Sequence, residues 1–482
     1  MIKLVTKVGL SLSFLALAMQ AGAQMPATMM NADTTAEFKP SGKLWGYAFG
    51  DYANKGGSDE LNRGGSNQYT GVPINTNMFQ WRRIYLGYNY EISQKFSAEF
   101  LLAAEDDFAA GVLGQGANAT STNVKVTGNQ TGTTTTAGTL ALGGNGDVLL
   151  NNKFSPYIKL ANLRWKNIFK GTDLVIGQAA TPSFPMMSES IWSYRSIERT
   201  VSDIRRTPSF DMGATLQGKY GKDGTCGYDL MVGNGQSAKP ENDPYKWFYG
   251  DVWVKLANKK LVIDLYQDYQ KLHWTYMHDG NPETAVTTTN TTTGVVTTTY
   301  SLPGAASLHH DRNMTKLFVA WNDKKFTIGF EGFMNTIMGD LQVVGKDNKV
   351  YYKTSTATDL SFFVRGKIYK EKLSFFARYD MYDPSGMLKS DISDKFVVSY
   401  KALTSQYEPT TKENFVTFGL DFTPVKNVHI MPNVWINSYE SALSATGTND
   451  AGLLYTKMNG NVNATKGTDA VYRLTFYYIY GK

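Results

Sequence analysis

Sixteen short stretches in which apolar residues return at every second position constrain this chain more than anything else in it. Leu360, Phe362, Val364, Gly366 and Ile368 alternate with Ser361, Phe363, Arg365 and Lys367. Val416, Phe418, Leu420 and Phe422 alternate with Thr417, Gly419 and Asp421. A period of two sends successive side chains to opposite faces, which marks a strand lying between two different surroundings. The stretches fall at 43–53, 78–92, 96–104, 155–167, 173–179, 208–220, 226–234, 245–256, 261–275, 312–322, 326–336, 359–369, 373–382, 414–422, 428–439 and 469–480.

The connections between them sort into two kinds. Short ones fall at 93–95, 168–172, 221–225, 257–260, 323–325, 370–372 and 423–427. Long ones fall at 54–77, 105–154, 180–207, 235–244, 276–311, 337–358, 383–413 and 440–468. Long and short alternate without exception, as an up-and-down antiparallel meander requires. A sandwich has no reason to keep that rule, and a propeller would repeat a blade signature every 40–50 residues or so. The expected fold is therefore all-β: a 16-stranded antiparallel up-and-down transmembrane β-barrel with short periplasmic turns and long extracellular loops.

The amino terminus carries an address. Lys3 and Lys7 precede an apolar run from Val8 to Met19, and Ala21-Gly22-Ala23 offers small residues before Gln24. This is the pattern of a secretory signal peptide over 1–23, cleaved after Ala23. Residues 24–42 read as a periplasmic leader and 43–482 as the barrel, which places the protein in a bacterial outer membrane. No other stretch approaches the roughly 20 apolar residues of a membrane helix. Aromatic residues make up 13% of the chain, with 29 tyrosines, and many flank the apolar stretches as interface girdles do. Cys226 is the only cysteine, so no internal disulfide can form. A net charge of +6 is too small for a nucleic-acid reading.

The apolar parity faces lipid, so the opposite parity faces the lumen. Its basic members are Arg83, Arg164, Lys219, Lys255, Lys316, Arg365, Lys367, Arg378 and Arg473. Its acidic members are Glu99, Asp211, Asp229, Asp251, Asp264, Asp268, Glu331, Asp380 and Asp421, equal in number. Stretches 43–53 and 155–167 leave their facing ambiguous. Gly87, Gly213, Thr215, Thr417 and Gly419 add a small, polar lining. A wall of sixteen strands leaves a water-filled channel unless something occupies it.

The third long connection, 180–207, stands apart. It holds two prolines, Phe184, Trp192 and Tyr194, and the arginines Arg195, Arg199, Arg205 and Arg206 beside Glu189, Glu198 and Asp203. Such a segment is expected to fold into the lumen as a constriction, where its arginines would concentrate anions against a neutral wall. Three other connections, 118–139, 284–301 and 459–468, are rich in Thr, Asn and Gly and read as mobile surface.

Catalysis finds no support. The histidines are His273, His278, His309, His310 and His429, and none stands at a spacing that pairs it with a nucleophile. His309-His310 lacks the further ligands of a metal site. No enzyme activity, cofactor or metal is expected.

Several short pieces resemble one family in their order along the chain. They are Arg82-Arg83-Ile84-Tyr85-Leu86-Gly87 leading to Phe96-Ser97-Ala98-Glu99-Phe100, then Gly177-Gln178, Ile197-Glu198-Arg199 and Arg205-Arg206. Ala377-Arg378-Tyr379-Asp380 and Gly419-Leu420-Asp421-Phe422 follow. Together they are similar to the phosphate-selective porin O and P family in the form common in Bacteroidota. The resemblance implies a sixteen-stranded porin, a homotrimer in outer-membrane lipid, with the third loop turned inward and small anions and hydrophilic solutes as its passengers. It makes Arg199, Arg205 and Arg206 basic loop residues and Glu198 their structural partner. With Arg195 and the wall residues Arg83, Arg365, Arg378 and Arg473, these are the expected anion-attracting set. The balanced wall departs from the dense basic ladder of the phosphate-specific members, so the expected preference for anions such as phosphate is weak. The rival expectation is a plugged barrel, serving as scaffold or receptor subunit of an envelope complex.

Overall fold

The structure, a computed structural model, describes residues 38–59, 69, 72–105, 156–195, 200–204, 208–241, 244–272, 282–289, 296–301, 311–344, 350–384, 399–402, 411–441 and 466–481. The signal peptide, nearly all of the leader, the Thr-rich connection at 118–139 and residues 459–465 of the one at 459–468 lie outside them; 466–468 open the last strand.

Nineteen strands join one sheet. They are β1 (Ser41–Gly57), β2 (Asn77–Glu91), β3 (Phe96–Glu105), β4 (Pro156–Phe169), β5 (Thr172–Ala180), β6 (Phe210–Tyr220) and β7 (Cys226–Gly233). Then follow β8 (Trp247–Leu256), β9 (Leu261–Lys271), β10 (Pro282–Thr289), β11 (Val296–Ser301), β12 (Asp311–Asn322) and β13 (Phe326–Val344). The last are β14 (Val350–Tyr369), β15 (Leu373–Asp383), β16 (Ser399–Ala402), β17 (Thr411–Val425), β18 (Val428–Ser441) and β19 (Lys466–Tyr480). Between β5 and β6 lie two short helices, α1 (Ser188–Trp192) and α2 (Val201–Ile204).

Sixteen of these strands form the wall; β10, β11 and β16 belong to connections. Every pairing in the wall is antiparallel, and β1 closes it against β19 from Gly46 opposite Tyr480 to Gly57 opposite Ala470. The sixteen expected stretches all become wall strands, most of them offset by a few residues at their ends. But β13 runs on to Val344 and β14 starts at Val350, so much of the expected connection 337–358 is strand. β9 runs next to β12 as the meander demands. Closure pairs the backbone groups that an open sheet would leave bare at its two edges.

The two faces differ as alternation requires. Phe79, Leu86, Phe362, Phe418 and Leu474 stand exposed on the outside. Exposed aromatics gather at the short-turn ends of the strands: Tyr88, Tyr90, Trp165, Phe169, Tyr220, Tyr369 and Tyr478. The inside departs from a small, polar lining. Tyr85, Trp247, Tyr249, Trp253, Tyr266, Phe318, Phe363, Phe376, Phe415 and Trp435 all point inward and are buried. Alternation sorts polar from apolar, so a large ring on the polar parity goes unnoticed.

Register shifts interrupt several of the wall pairings, and the following two change the facing of a charge or the path of a ribbon. Phe49 pairs with Arg83 but Gly50 pairs with Trp81, so Arg82 is an extra residue on β2. This bulge puts Arg82 inside beside Arg83, although simple alternation assigns it to lipid. Higher up, Ile337 pairs with Ser355 but Leu341 with Lys353, and Gly339 in that gap has φ +66°.

Above this gap the β13–β14 ribbon exchanges sides. In the wall β13 lies between β12 and β14, and β14 between β13 and β15. Above, the far edge of β13 pairs with β16 and the far edge of β14 with β10. Yet β16 follows β15, and β10 follows β9. Each flanking strand thus comes from the opposite side, as the strong twist of a two-stranded ribbon permits. The connection at 284–301, expected to be mobile surface, instead supplies a hairpin in which Thr284 pairs with Ser301 and Thr289 with Val296. Threonine is β-branched and favours the extended backbone, which composition counting overlooks.

Candidate functional site in the barrel interior

The interior is built from the wall and from the segment between β5 and β6. Thr181 begins that segment; its hydroxyl meets Ser183 at 2.8 Å and donates to the Pro208 carbonyl at 2.6 Å. The Lys316 ammonium, fully buried on β12, donates to the Ser183 carbonyl. Farther along, the Ser202 N–H and hydroxyl both donate to Glu331 Oε1 on β13, at 3.3 and 2.9 Å. Lys316 lies 3.7 Å from Glu331 and 3.8 Å from Asp264, so one wall cluster holds the segment at two points.

Apolar contacts hold it between those points. The Trp192 ring, on α1, lies 5.0 Å from Phe363 and 6.2 Å from Phe376, edge-on to both. Tyr194 lies 4.5 Å from Phe376. Met187, Ile191, Trp192 and Tyr194 join one buried cluster with Phe318, Phe363, Phe376 and Phe415 of the wall. Burying a side chain of this size contributes about 1.5–3 kcal/mol. Burial, then the charge on Asp421, pushes the Tyr194 hydroxyl up to about 12. A cavity of about 10 Å³, room for one water molecule, lies between Trp192, Glu331, Ser361 and Arg378.

Tyr69, a residue of the first long connection, is buried against the wall. The Tyr69 hydroxyl donates to Asp51 Oδ2 at 3.1 Å, and accepts from Gln80 at 2.6 Å and Arg82 at 3.3 Å. The Tyr69 ring lies 6.5 Å from Trp435.

The expected basic residues fall into two groups. Arg473 and Arg378 sit in dense, buried surroundings. Arg473 donates to Asp51 at 2.9 Å and to Asn433 at 2.8 and 3.1 Å, and its guanidinium lies 3.4 Å over the Trp435 ring. Arg378 grips Asp380 through two nitrogens, at 2.8 and 2.5 Å. Arg195, Arg83 and Arg365 are less enclosed. Arg195 donates to Glu189 at 2.6 Å and lies 5.1 Å over the Tyr47 ring. Burial works against its charge, but Tyr47 and Glu189 outweigh burial and hold its pKa above the ordinary arginine value. Arg83 donates to Tyr85 at 2.8 Å and to Glu105 at 3.3 Å. Arg365 donates to the Ser193 hydroxyl at 3.2 Å and lies 5.8 Å over the Tyr194 ring. Arg199, Arg205, Arg206 and Glu198 lie outside the described residues, as do His273, His278, His309 and His310.

Several interior charges escape sequence reasoning. Lys159 donates to Glu105 at 2.5 Å and to the Tyr85 hydroxyl at 2.9 Å. Its strand has ambiguous parity, because Leu101 pairs with Leu160 but Leu102 with Ile158, a bulge no pattern announces. Glu105 ends β3 one residue past the expected limit, and Asp51 lies on the other ambiguous strand. Lys55 and Asp469, 2.5 Å apart, link β1 to β19 at the closure. Among the described residues, no group of three or more His, Cys, Asp or Glu side chains is placed to hold a metal ion.

No protein-family model matches the chain, and no curated protein sequence matches it. Among solved structures, it is similar to the outer membrane channel DcaP of Acinetobacter baumannii, with TM-score 0.50 and 9% identity over 94% of this chain and 100% of that one. The anion-selective porin from Comamonas acidovorans gives 0.49 and 10% over 92% and 100%. The outer-membrane protein OmpT of Vibrio cholerae gives 0.46 and 10% over 92% and 99%. What the likeness to DcaP carries is the fold, and the strand pairing carries it independently: the chain is a closed, sixteen-stranded, all-antiparallel β-barrel.

Proposed function

We propose that this protein is an outer-membrane porin through which small hydrophilic solutes and ions diffuse passively, with a weak preference for anions such as phosphate. The observation behind this reading is the pairing of an apolar exterior with a charged interior crossed by the segment from Thr181 to Ile204. A closed wall satisfies its backbone hydrogen bonds in hydrocarbon, and its apolar girth would otherwise face water. The printed names of similar barrels, an outer membrane channel and an anion-selective porin, agree with passage across that wall. The signal peptide with cleavage after Ala23, membership of the phosphate-selective porin O and P family and assembly as a homotrimer belong to the same reading. The inward segment would act as its constriction, with Arg195, Arg199, Arg205 and Arg206 as basic members and Glu198 as their partner.

The depth of burial inside favours a second reading. Side chains that would line a wide channel, such as Asp264, Lys316, Thr417 and Thr475, have no exposure at all. A sealed barrel serving as scaffold or receptor would bury them in the same way. Conductance in planar bilayers separates the two. Purified protein forming discrete open levels supports the porin, and a silent bilayer at saturating insertion supports the scaffold. Reversal potential in a salt gradient then reads the charge preference, and a cation-selective value would reject the anion preference.

A further inference from the structure

We propose that the short-turn end of the barrel is a docking surface for anionic phospholipid headgroups, held by a ring of turn lysines. The inference goes beyond passage through the lumen, and needs from the porin reading only that the wall stands in a membrane.

Charge is concentrated at this end. Each of the seven short turns has at least one lysine between its two strands, ten in all, against three carboxylates, Asp223, Asp323 and Glu371. All ten lysines are exposed. The carboxylates have local partners: Asp323 lies 2.6 Å from Lys260, Glu371 2.5 Å from Lys367 and Asp223 3.9 Å from Lys259. The long connections at the other end show no such excess, since their acidic residues outnumber their basic ones.

Depth, direction and extent fit a lipid surface. For depth, Phe169, Phe326, Tyr369 and Val425 are between 47 and 64% exposed on the outer face. Each is next in sequence to a turn lysine: Lys170, Lys325, Lys370 and Lys426. An apolar side chain in hydrocarbon with an ammonium one residue beyond it puts the charge at headgroup level, where lysines snorkel. For direction, the Lys370 ammonium lies 5.5 Å over the Tyr369 ring, and that of Lys260 lies 5.9 Å over the Trp321 ring. Trp321 shares the outer face with Ile328, its partner on β13. Both cations therefore lean on girdle rings outside the wall, not into the lumen. For extent, the turns join alternate neighbours around the closed wall, so the lysines are spread over its circumference. A protein would dock on one side, whereas an annulus of lipid touches every turn. Anionic headgroups attract basic residues close to a membrane surface.

The test uses the purified protein reconstituted in phosphatidylcholine vesicles, with spin-labelled phosphatidylglycerol and spin-labelled phosphatidylcholine as probes. Electron paramagnetic resonance separates lipid held at the barrel from bulk lipid and gives the relative association of the two. At low salt the anionic lipid should be preferred about three- to fivefold. The preference should be largely lost in about 1 M salt, where the Debye length is about 3 Å. Replacing one lysine in each of six turns, Lys95→Gln, Lys170→Gln, Lys222→Gln, Lys324→Gln, Lys370→Gln and Lys426→Gln together, should bring it below about twofold. If that variant fails to fold, as judged by heat-modifiable gel mobility, Lys324→Gln with Lys370→Gln should give an intermediate value. Equal association of the two lipids with the parent overturns the proposal and leaves an acidic periplasmic protein as the partner the ring would suit. A preference untouched by the replacements, or indifferent to salt, overturns it as well. A barrel that selects the anionic lipid and never conducts refutes the porin reading alone. One that conducts and shows no lipid preference refutes this proposal alone.

Discussion

Arg82 and Arg83 are neighbours in sequence and serve different clusters. Arg83 turns to Glu105, while Arg82 lies 3.5 Å from Asp51. Asp51 therefore answers two buried arginines, Arg82 and Arg473. Asp51→Ala should cost about 3–5 kcal/mol, because it removes the buried carboxylate that two guanidinium groups share. The expected sign is a lower temperature for heat-induced gel mobility shift, with a smaller effect for Asp51→Asn. A second expectation concerns the β12–β13 turn. The Lys260 ammonium, followed by the Lys325 backbone N–H, holds the Asp323 carboxyl below its ordinary value. A depressed folded pKa means that this group's stabilisation is present above the unfolded value of about 3.9 and is lost as pH falls through the folded value. Titration of the Asp323 carboxyl by NMR should give a midpoint below about 3.9, and Lys260→Met should raise it. Alternation finds Arg83, Arg365, Arg378 and Arg473 as inward residues, because each keeps step with the apolar alternation of its neighbours. It cannot find Arg82 or Lys159, whose facing depends on bulges set by partner strands. Nor does it reveal that Arg378 and Arg473 are locked to Asp380 and Asp51, since ion pairing depends on cross-strand distance.

At the scale of an element, the segment between β5 and β6 is legible in part. Its prolines, rings and arginines set it apart from the Thr-rich connections, which is a fair reason to expect order. Sequence reasoning gives the weight to its arginines. The structure gives the anchoring to Trp192, Tyr194 and Ser202, whose partners come from strands more than a hundred residues away. Trp192→Ala should cost about 3–5 kcal/mol of packing. Because the wall itself stays paired, the barrel's gel mobility should be retained, and under the porin reading the effect should appear as noisier open-channel current. Deleting Trp192 to Ile204 should raise unitary conductance under the porin reading. Just before the segment, Gly177 in β5 has φ +122°, and a Cβ there would stand 2.4 Å from the Ala161 carbonyl oxygen. Gly177→Ala should therefore destabilise the β4–β5 pairing by about 1–3 kcal/mol. Faster amide exchange at Ile176 and Gln178 would report it, and unchanged exchange would contradict it.

For the whole molecule, the strand count, the order and the antiparallel sense all follow from a period of two and the rhythm of the connections. Closure follows as well, since sixteen strands with apolar exteriors cannot leave an edge in hydrocarbon. The crossing above Ile337 does not follow, because no local pattern records which strand a loop will join. It carries a consequence for anyone who would alter the outer surface. The three connections that supply β10–β11, the top of β13–β14, and β16 are interleaved like the strands of a plait, so slack introduced into one is felt by the others. A peptide tag placed between Lys271 and Pro282, or between Asp383 and Ser399, should disturb all three. One placed between Thr289 and Val296, past the last paired residues of β10 and β11, should leave the weave intact, which recommends that junction for an inserted label.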